Sequence, residues 1–336
     1  MKMKLKYKII ILISSLILFL LVWFFKFANN YPLSQDLNYR LGYFGVTFST
    51  KMAEELGLDW RKTFLAVVDD LKVKSVRLPV YWDQIMPTQT EYDFSDYDWM
   101  LEQGQIRNVE FILNLGYRLP RWPECHAPLW VDGQSKDFRD AETLKMLEAV
   151  VLRYRDRSEV EYWQIENEPF LDSFGECPEG DLAFLQKEID LVRSLDSRPI
   201  LISASGELSL WQKESKAGDI FGATLYRVVW GRYSGYVRYP LPAFFYRLKA
   251  DLAHIPQAKR VISELQAEPW VPSGFMKDLS DIEAQKSFSL EQFKANIQFG
   301  INVNFQKAYL WGVEWWYKKY QDGQVQYWDF AKTLFK

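Results

Sequence analysis

The stretch Trp163-Gln164-Ile165-Glu166-Asn167-Glu168-Pro169 passes from an apolar, β-rich run into a short polar break that carries a carboxylate. Far down the chain, Val261-Ile262-Ser263-Glu264-Leu265-Gln266 does the same. A carboxylate at the end of an apolar strand is the pattern of a barrel whose chemistry sits at the strand C-termini, and the interval between Glu168 and Glu264 suits non-adjacent strands of a (β/α)8 barrel.

Outward from these two stretches, apolar runs alternate with amphipathic ones. Strands are expected over Tyr43–Phe48, Ser75–Tyr81, Val109–Leu115, Val160–Ile165, Pro199–Ser203, Phe221–Tyr226, Arg260–Ser263 and Lys307–Gly312. Helices are expected between them. Asp59–Lys72 shows one apolar face in Trp60, Phe64, Val67, Val68 and Leu71. Ser95–Asn108, Asp140–Arg155, Asp181–Ser194, Leu241–His254, Leu290–Gly300 and Trp328–Phe335 complete the set. The strands are continuously apolar, as in a parallel sheet covered by helices. Strand-plus-helix units in this order imply one parallel barrel. A doubly wound open sheet would want an early glycine-rich phosphate turn, and none is present. The longest interruptions, Gly116–Arg139, Arg227–Pro242 and Leu265–Gln285, are expected to form the rim of a cleft.

The N-terminus is a separate device. Lys2, Lys4, Lys6 and Lys8 precede an apolar run from Ile9 to Phe25, broken only by Ser14 and Ser15 and closed by Lys26. Its length is close to the bilayer hydrocarbon thickness, and lysines before such a run stay in the cytoplasm. The expected organisation is cytoplasmic lysines and a transmembrane signal anchor over 1–28, a tether over 29–40 and a barrel over 41–336. A cleaved signal peptide is the rival, but no small-x-small site stands near Lys26 to Asn30. The expected protein is single-pass and membrane-anchored, with its barrel outside the cytoplasm.

Trp 14, Tyr 19 and Phe 23 make up 17% of the 336 residues, enough for a large core and for flat platforms on which sugar rings stack. The net charge of −3 gives no basic face for nucleic acid. Cys125 and Cys177 are the only cysteines and fall in the loops after the third and fourth strands, which are neighbours. In an exported domain that pair suggests one disulfide. A metal site built on Cys125, His126 and Cys177 lacks a fourth ligand. No Gly-x-Ser-x-Gly, His-rich set or glycine loop supports a serine hydrolase, a metal hydrolase or a nucleotide enzyme, and no cofactor is implied.

Polar residues gather at the expected strand ends. Arg77 lies on the second strand and Asn114 on the third, with Tyr117, Arg118 and Trp122 just beyond it. Asn167 and Glu168 come after the fourth, Tyr226 after the sixth and Glu264 after the seventh. The eighth strand region carries Trp311, Glu314, Trp315 and Trp316. Two carboxylates entering one cleft from different strands are the minimum equipment for cleaving a glycosidic bond.

Asn167-Glu168-Pro169 after an apolar strand, with Glu264 on a later one, resembles clan A of the glycoside hydrolases, which includes the cellulase-like family 5 and the families 39 and 42. Val76-Arg77-Leu78-Pro79, then Trp82, Glu91-Tyr92-Asp93-Phe94 and Asp98, resembles the second barrel unit of that clan, and the Trp-bearing eighth strand fits it too. The resemblance covers roughly Leu41 to Phe335. It implies a retaining β-glycosidase in which Glu168 is the general acid/base and Glu264 the nucleophile, with the carboxyl groups about 5 Å apart. It further implies that Arg77 and Tyr226 flank the nucleophile, that Asn167 bonds the sugar 2-hydroxyl, and that Trp315 or Trp311 stacks under the sugar. Which tryptophan faces inward stays open, because an error of one residue in strand register flips the face. Glu268 and Glu314 are the substitutes if Glu264 is not the acid used. Many clan members carry a His on the third or sixth strand. Here Phe111-Ile112-Leu113-Asn114-Leu115 and Ala223-Thr224-Leu225-Tyr226 have none, and Asn114, Tyr117 or Arg118 is the expected replacement. Of the two histidines, His126 lies near the cleft and His254 on a surface helix. A catalytically silent sugar-binding barrel would lack one carboxylate; a transglycosylase remodelling envelope glycans would use the same residues.

Overall fold

The computed structural model describes residues 7–16, 18–19 and 42–335. Ten strands are present among them: β1 (Phe44–Thr47), β2 (Ser75–Pro79), β3 (Glu110–Leu115), β4 (Val160–Ile165), β5 (Ile200–Ser205), β6 (Ile220–Leu225), β7 (Val228–Gly231), β8 (Gly235–Arg238), β9 (Arg260–Gln266) and β10 (Ala308–Trp311). Eight of them close a parallel barrel in the ring order β1-β2-β3-β4-β5-β6-β9-β10, while β7 and β8 form an antiparallel hairpin in the loop after β6. The expected (β/α)8 architecture is therefore present.

The covering helices include α1 (Trp60–Leu65), α2 (Ser95–Ile106), α3 (Lys136–Tyr154), α4 (Leu182–Leu195), α5 (Ala243–Leu252), α6 (Leu290–Val303), α7 (Val313–Gln321) and α8 (Gln326–Lys332). Side-chain caps set several of their starts. Ser135 Oγ accepts from Phe138 N before α3, and Asp181 accepts from Ala183 N and Phe184 N before α4. The outward-facing apolar residues of the strands meet these helices in one large core. Inside the barrel, Ile112, Leu201, Val261 and Tyr309 form a separate apolar floor. Gly45 makes room for it: a Cβ there would lie 2.8 Å from the Tyr309 ring.

Three elements depart from the sequence expectation. The expected helix Asp59–Lys72 is α1 continued by a π turn over Ala66–Asp70. The seventh barrel strand extends past Ser263 to Gln266, because a bulge keeps it paired. Gly312, at φ 124, ends β10, and α7 begins directly after it, so Trp315 and Trp316 belong to a helix.

Residues 7–16 and 18–19 are helical. Among the described residues no helix is long and apolar enough to cross a membrane. The described part therefore gives the expected transmembrane helix no support. The rest of the expected anchor, residues 1–6, 17 and 20–28, and the tether over 29–40 lie outside the described residues.

Candidate active site

Strand alternation decides which side chains enter the barrel. On β9, Val261 joins the inner floor and Ile262 the outer core. Strict alternation would then send Glu264 outward. The register shift between Ala223–Ile262 and Thr224–Glu264 inserts Ser263 as an extra residue and turns Glu264 inward. Leu265 returns to the outer core, and Gln266 points in to bond the hairpin backbone at Arg227, Val228 and its carbonyl.

Glu264 is buried, and both its oxygens are engaged. Oε1 accepts from Arg77 Nη1 at 2.7 Å and Oε2 accepts from the Tyr226 hydroxyl at 2.9 Å. Arg77 is itself fully buried and spends its remaining donors on Gln164 Oε1 (2.7 Å) and Asn167 Oδ1 (2.9 Å). A rigid guanidinium fork thus ties β2, β4 and β9 together around one carboxylate. Asn167 is held on both sides: Oδ1 also accepts from Ser203, and Nδ2 donates to Glu124.

Glu168 sits at the end of β4 in the left-handed region (φ 47). For a non-glycine residue this is an uncommon conformation that surrounding bonds must hold. Its N–H donates to Ser203 Oγ at 3.0 Å and its Oε1 accepts from the Thr224 hydroxyl at 2.7 Å. Burial, and then the Glu264 charge, push the Glu168 carboxyl up to about 8. Glu124, from the loop after β3, is also buried. Burial first, then the charges of Glu264 and Glu168, push it up to about 8, against the pull of Arg118. Glu166 is structural: its carboxyl accepts from the backbone N–H groups of Tyr117 (2.7 Å) and Arg118 (2.6 Å), fixing the start of that loop.

A second cluster lies just beyond the ends of β9 and β10. Arg121 forms ion pairs with Glu268 and with Glu314, the latter at 3.1 Å, and its guanidinium lies 3.9 Å from the centre of the Trp311 ring. Burial pushes Glu314 up to about 7, opposed by Arg121. Glu268 and Glu314 are therefore committed to Arg121. His126 Nε2 lies 3.0 Å from the Arg121 carbonyl, its ring packs on Tyr81, and burial pushes it down to about 3. It supports the loop.

Two expected sugar contacts, Trp315 and Tyr117, are corrected by their surroundings. Trp315 packs in the core between Phe288 and Tyr327, because helical periodicity turns it away from the barrel. Trp311, at the end of β10 in register with Gln266, is the tryptophan at the mouth. Tyr117 faces outward to Trp82 and Arg139 and lines a different pocket with Glu188. Asn114 is buried, and its amide oxygen and nitrogen have no hydrogen-bond partner among the described residues. Trp122 is 59% exposed at the rim. It starts a row of touching rings, Trp122–Phe174, Phe174–Trp270 and Trp270–Tyr226, with centres 5.9, 5.7 and 5.6 Å apart. Cys125 and Cys177 form the expected disulfide, joining the loops that carry Trp122 and Phe174. Sequence reasoning passed over Gln164, Ser203 and Thr224, although a polar residue in a mainly apolar strand was a usable signal for each. Glu124 and Arg121, in an irregular loop, left no such signal.

The fold is shared with known enzymes. The family model for cellulase (glycosyl hydrolase family 5) matches residues 44–236. A curated β-galactosidase from Clostridium cellulovorans is 24% identical over 183 residues, covering 46% of this chain and 26% of that protein, so the chain spans about a quarter of its relative's length. Among solved structures, xylanase 10B from Thermotoga petrophila aligns with TM-score 0.54 and 16% identity over 80% of this chain and 81% of that one. An exo-β-1,4-mannosidase from Opitutaceae bacterium strain TAV5 gives TM-score 0.57 and 14% identity over 80% and 51%. A β-glucosidase from Exiguobacterium marinum gives 0.52 and 14% over 82% and 89%. At these identities the solved structures speak for the fold alone; the family match, over more than half of the chain, places this protein in the cellulase family, glycosyl hydrolase family 5.

Proposed function

We propose that this chain hydrolyses β-glycosidic bonds of an oligo- or polysaccharide with retention of configuration. Glu264 attacks the anomeric carbon while Glu168 gives its proton to the departing oxygen. Glu168 then takes a proton from water as the water displaces Glu264. The observation that carries this reading is the contrast between the two carboxyls. Glu264 has a guanidinium and a phenol donating to its oxygens, whereas Glu168 is pushed up to about 8 by burial and the Glu264 charge, so it holds a proton at neutral pH. Environments that separate two carboxyls in this way assign acid and nucleophile.

The barrel is proposed to work outside the cytoplasm, tethered by its N-terminal segment. Support comes from the lysines before the apolar run Ile9 to Phe25 and from the Cys125–Cys177 disulfide, a bond of oxidising compartments. Protease added to intact cells should remove the barrel; its survival there, with cleavage only after lysis, would refute the placement.

The mechanism is tested by stereochemistry. Glu264→Ala should lose turnover by at least about a hundredfold. Glu168→Ala with added azide should release a β-glycosyl azide. A first product of inverted configuration would end the double-displacement reading.

A further inference from the structure

We infer that Arg121 closes one end of the substrate groove, so that the site takes the terminal sugar of a β-linked chain and releases it, rather than cutting within the chain. This rests on the glycosidase reading above and deepens it.

The loop after β3 crosses the barrel mouth. In the ring order β9 lies directly opposite β3, yet Arg121, from the loop after β3, is bound to Glu268 just beyond β9 and to Glu314 just beyond β10. The crossing is fastened along its length. The Pro120 carbonyl accepts from the Tyr81 hydroxyl at 3.1 Å, and the His126 carbonyl accepts from Asp83 N at 3.2 Å. Glu314 Oε1 accepts from Ser49 N at 2.5 Å, and Ser49 Oγ meets the Tyr81 hydroxyl at 2.7 Å. The ends of β1, β2, β9 and β10 are thereby bridged by protein.

The Arg121 guanidinium also covers one face of Trp311, the tryptophan at the mouth. A sugar chain running through in that direction would have to displace a buried cation from two buried carboxylates, leaving both unpaired, which is strongly unfavourable. The other direction carries a row of aromatic rings, surfaces suited to carbohydrate. The ring row from Tyr226, bonded to the nucleophile, through Trp270 and Phe174 reaches the exposed Trp122. Phe174 lies in the loop that comes after Glu168. The same segment carries the proton donor, and the leaving group departs on the proton donor's side. One walled end and one aromatic exit make a pocket for a chain terminus.

The test is the product pattern of the unmodified protein on short β-linked gluco-, manno- and galacto-oligosaccharides labelled at the reducing end. Stepwise shortening by one sugar, with monosaccharide in at least about tenfold excess over longer unlabelled fragments at early times, is the expected result. Mixed-length fragments from the outset would overturn the inference and leave the glycosidase reading standing. No turnover on any substrate by folded protein would overturn that reading, and this inference with it. Arg121→Ala should add internal cleavage. A folded Arg121→Ala protein that still trims only termini would overturn the role given to Arg121. If that variant does not fold, the unmodified protein's pattern still decides.

Discussion

Glu168 and Glu264 differ in their neighbours more than in their chemistry. Glu168 must carry a proton into the first step, and burial with the Glu264 charge holds that proton up to about 8. Rate should therefore be level below that value and fall as pH rises through it, which a pH profile of kcat/KM checks. Thr224 donates to Glu168 Oε1 and so favours the charged form. Thr224→Val should move the basic limb to higher pH by up to about one unit, since a hydrogen bond is worth about 1 kcal/mol and a unit about 1.4. A limb that moves down or stays would remove Thr224 from the proton's surroundings. Arg77→Met leaves Glu264 without its guanidinium and should cost about a hundred- to a thousandfold in kcat. At this scale the acidic pair, Arg77 and Tyr226 were legible because each ends or punctuates an apolar run. Glu124 was not, because its place depends on a loop folded back between β3 and β4.

At the scale of elements, the alternation of apolar strand and amphipathic helix was readable, and the edges were not. A bulge at Ser263 and a turn at Gly312 each shift the phase of the succeeding residues by a step no local pattern signals. The first brings Glu264 into the barrel, and the second sends Trp315 to the core. The disulfide joins two loops separated by 52 residues of sequence. In the chain-entropy account a bridge of that span stabilises by up to about 4 kcal/mol. The Cys125→Ser, Cys177→Ser double variant should melt measurably lower, and thiol titration of the denatured, unreduced protein should find no free thiol.

At the scale of the whole molecule, buried carboxyls set the response to pH. Glu124, Glu168 and Glu314 are pushed up to about 8, about 8 and about 7 from an ordinary value of 4.5. The folded state binds more protons than the unfolded one across that interval, so their contribution is intact below about 4.5 and is lost as pH rises through 7 to 8. His126, pushed down to about 3, acts oppositely: the unfolded state takes up its proton first, and stability falls as pH drops below about 6.5. Thermal melts should peak between these limits and fall by about 5 °C or more toward pH 9. A melting temperature still rising between pH 7 and 9 would contradict this distribution of buried charge.

The amino-acid sequence by itself determined the order of strands and helices, the closed parallel barrel, the disulfide partners and the carboxyl pair. The order, the barrel and the carboxyl pair stem from periodic burial and from polar breaks in apolar runs, and the disulfide from there being only two cysteines, all properties of the chain itself. Only the tertiary structure decided that Trp311 and not Trp315 stands at the mouth, that Glu124 joins the carboxyl pair, and that Arg121 crosses to Glu268 and Glu314. Those outcomes depend on strand register and on loops meeting across the barrel, where residues distant in the chain choose one another by charge and shape.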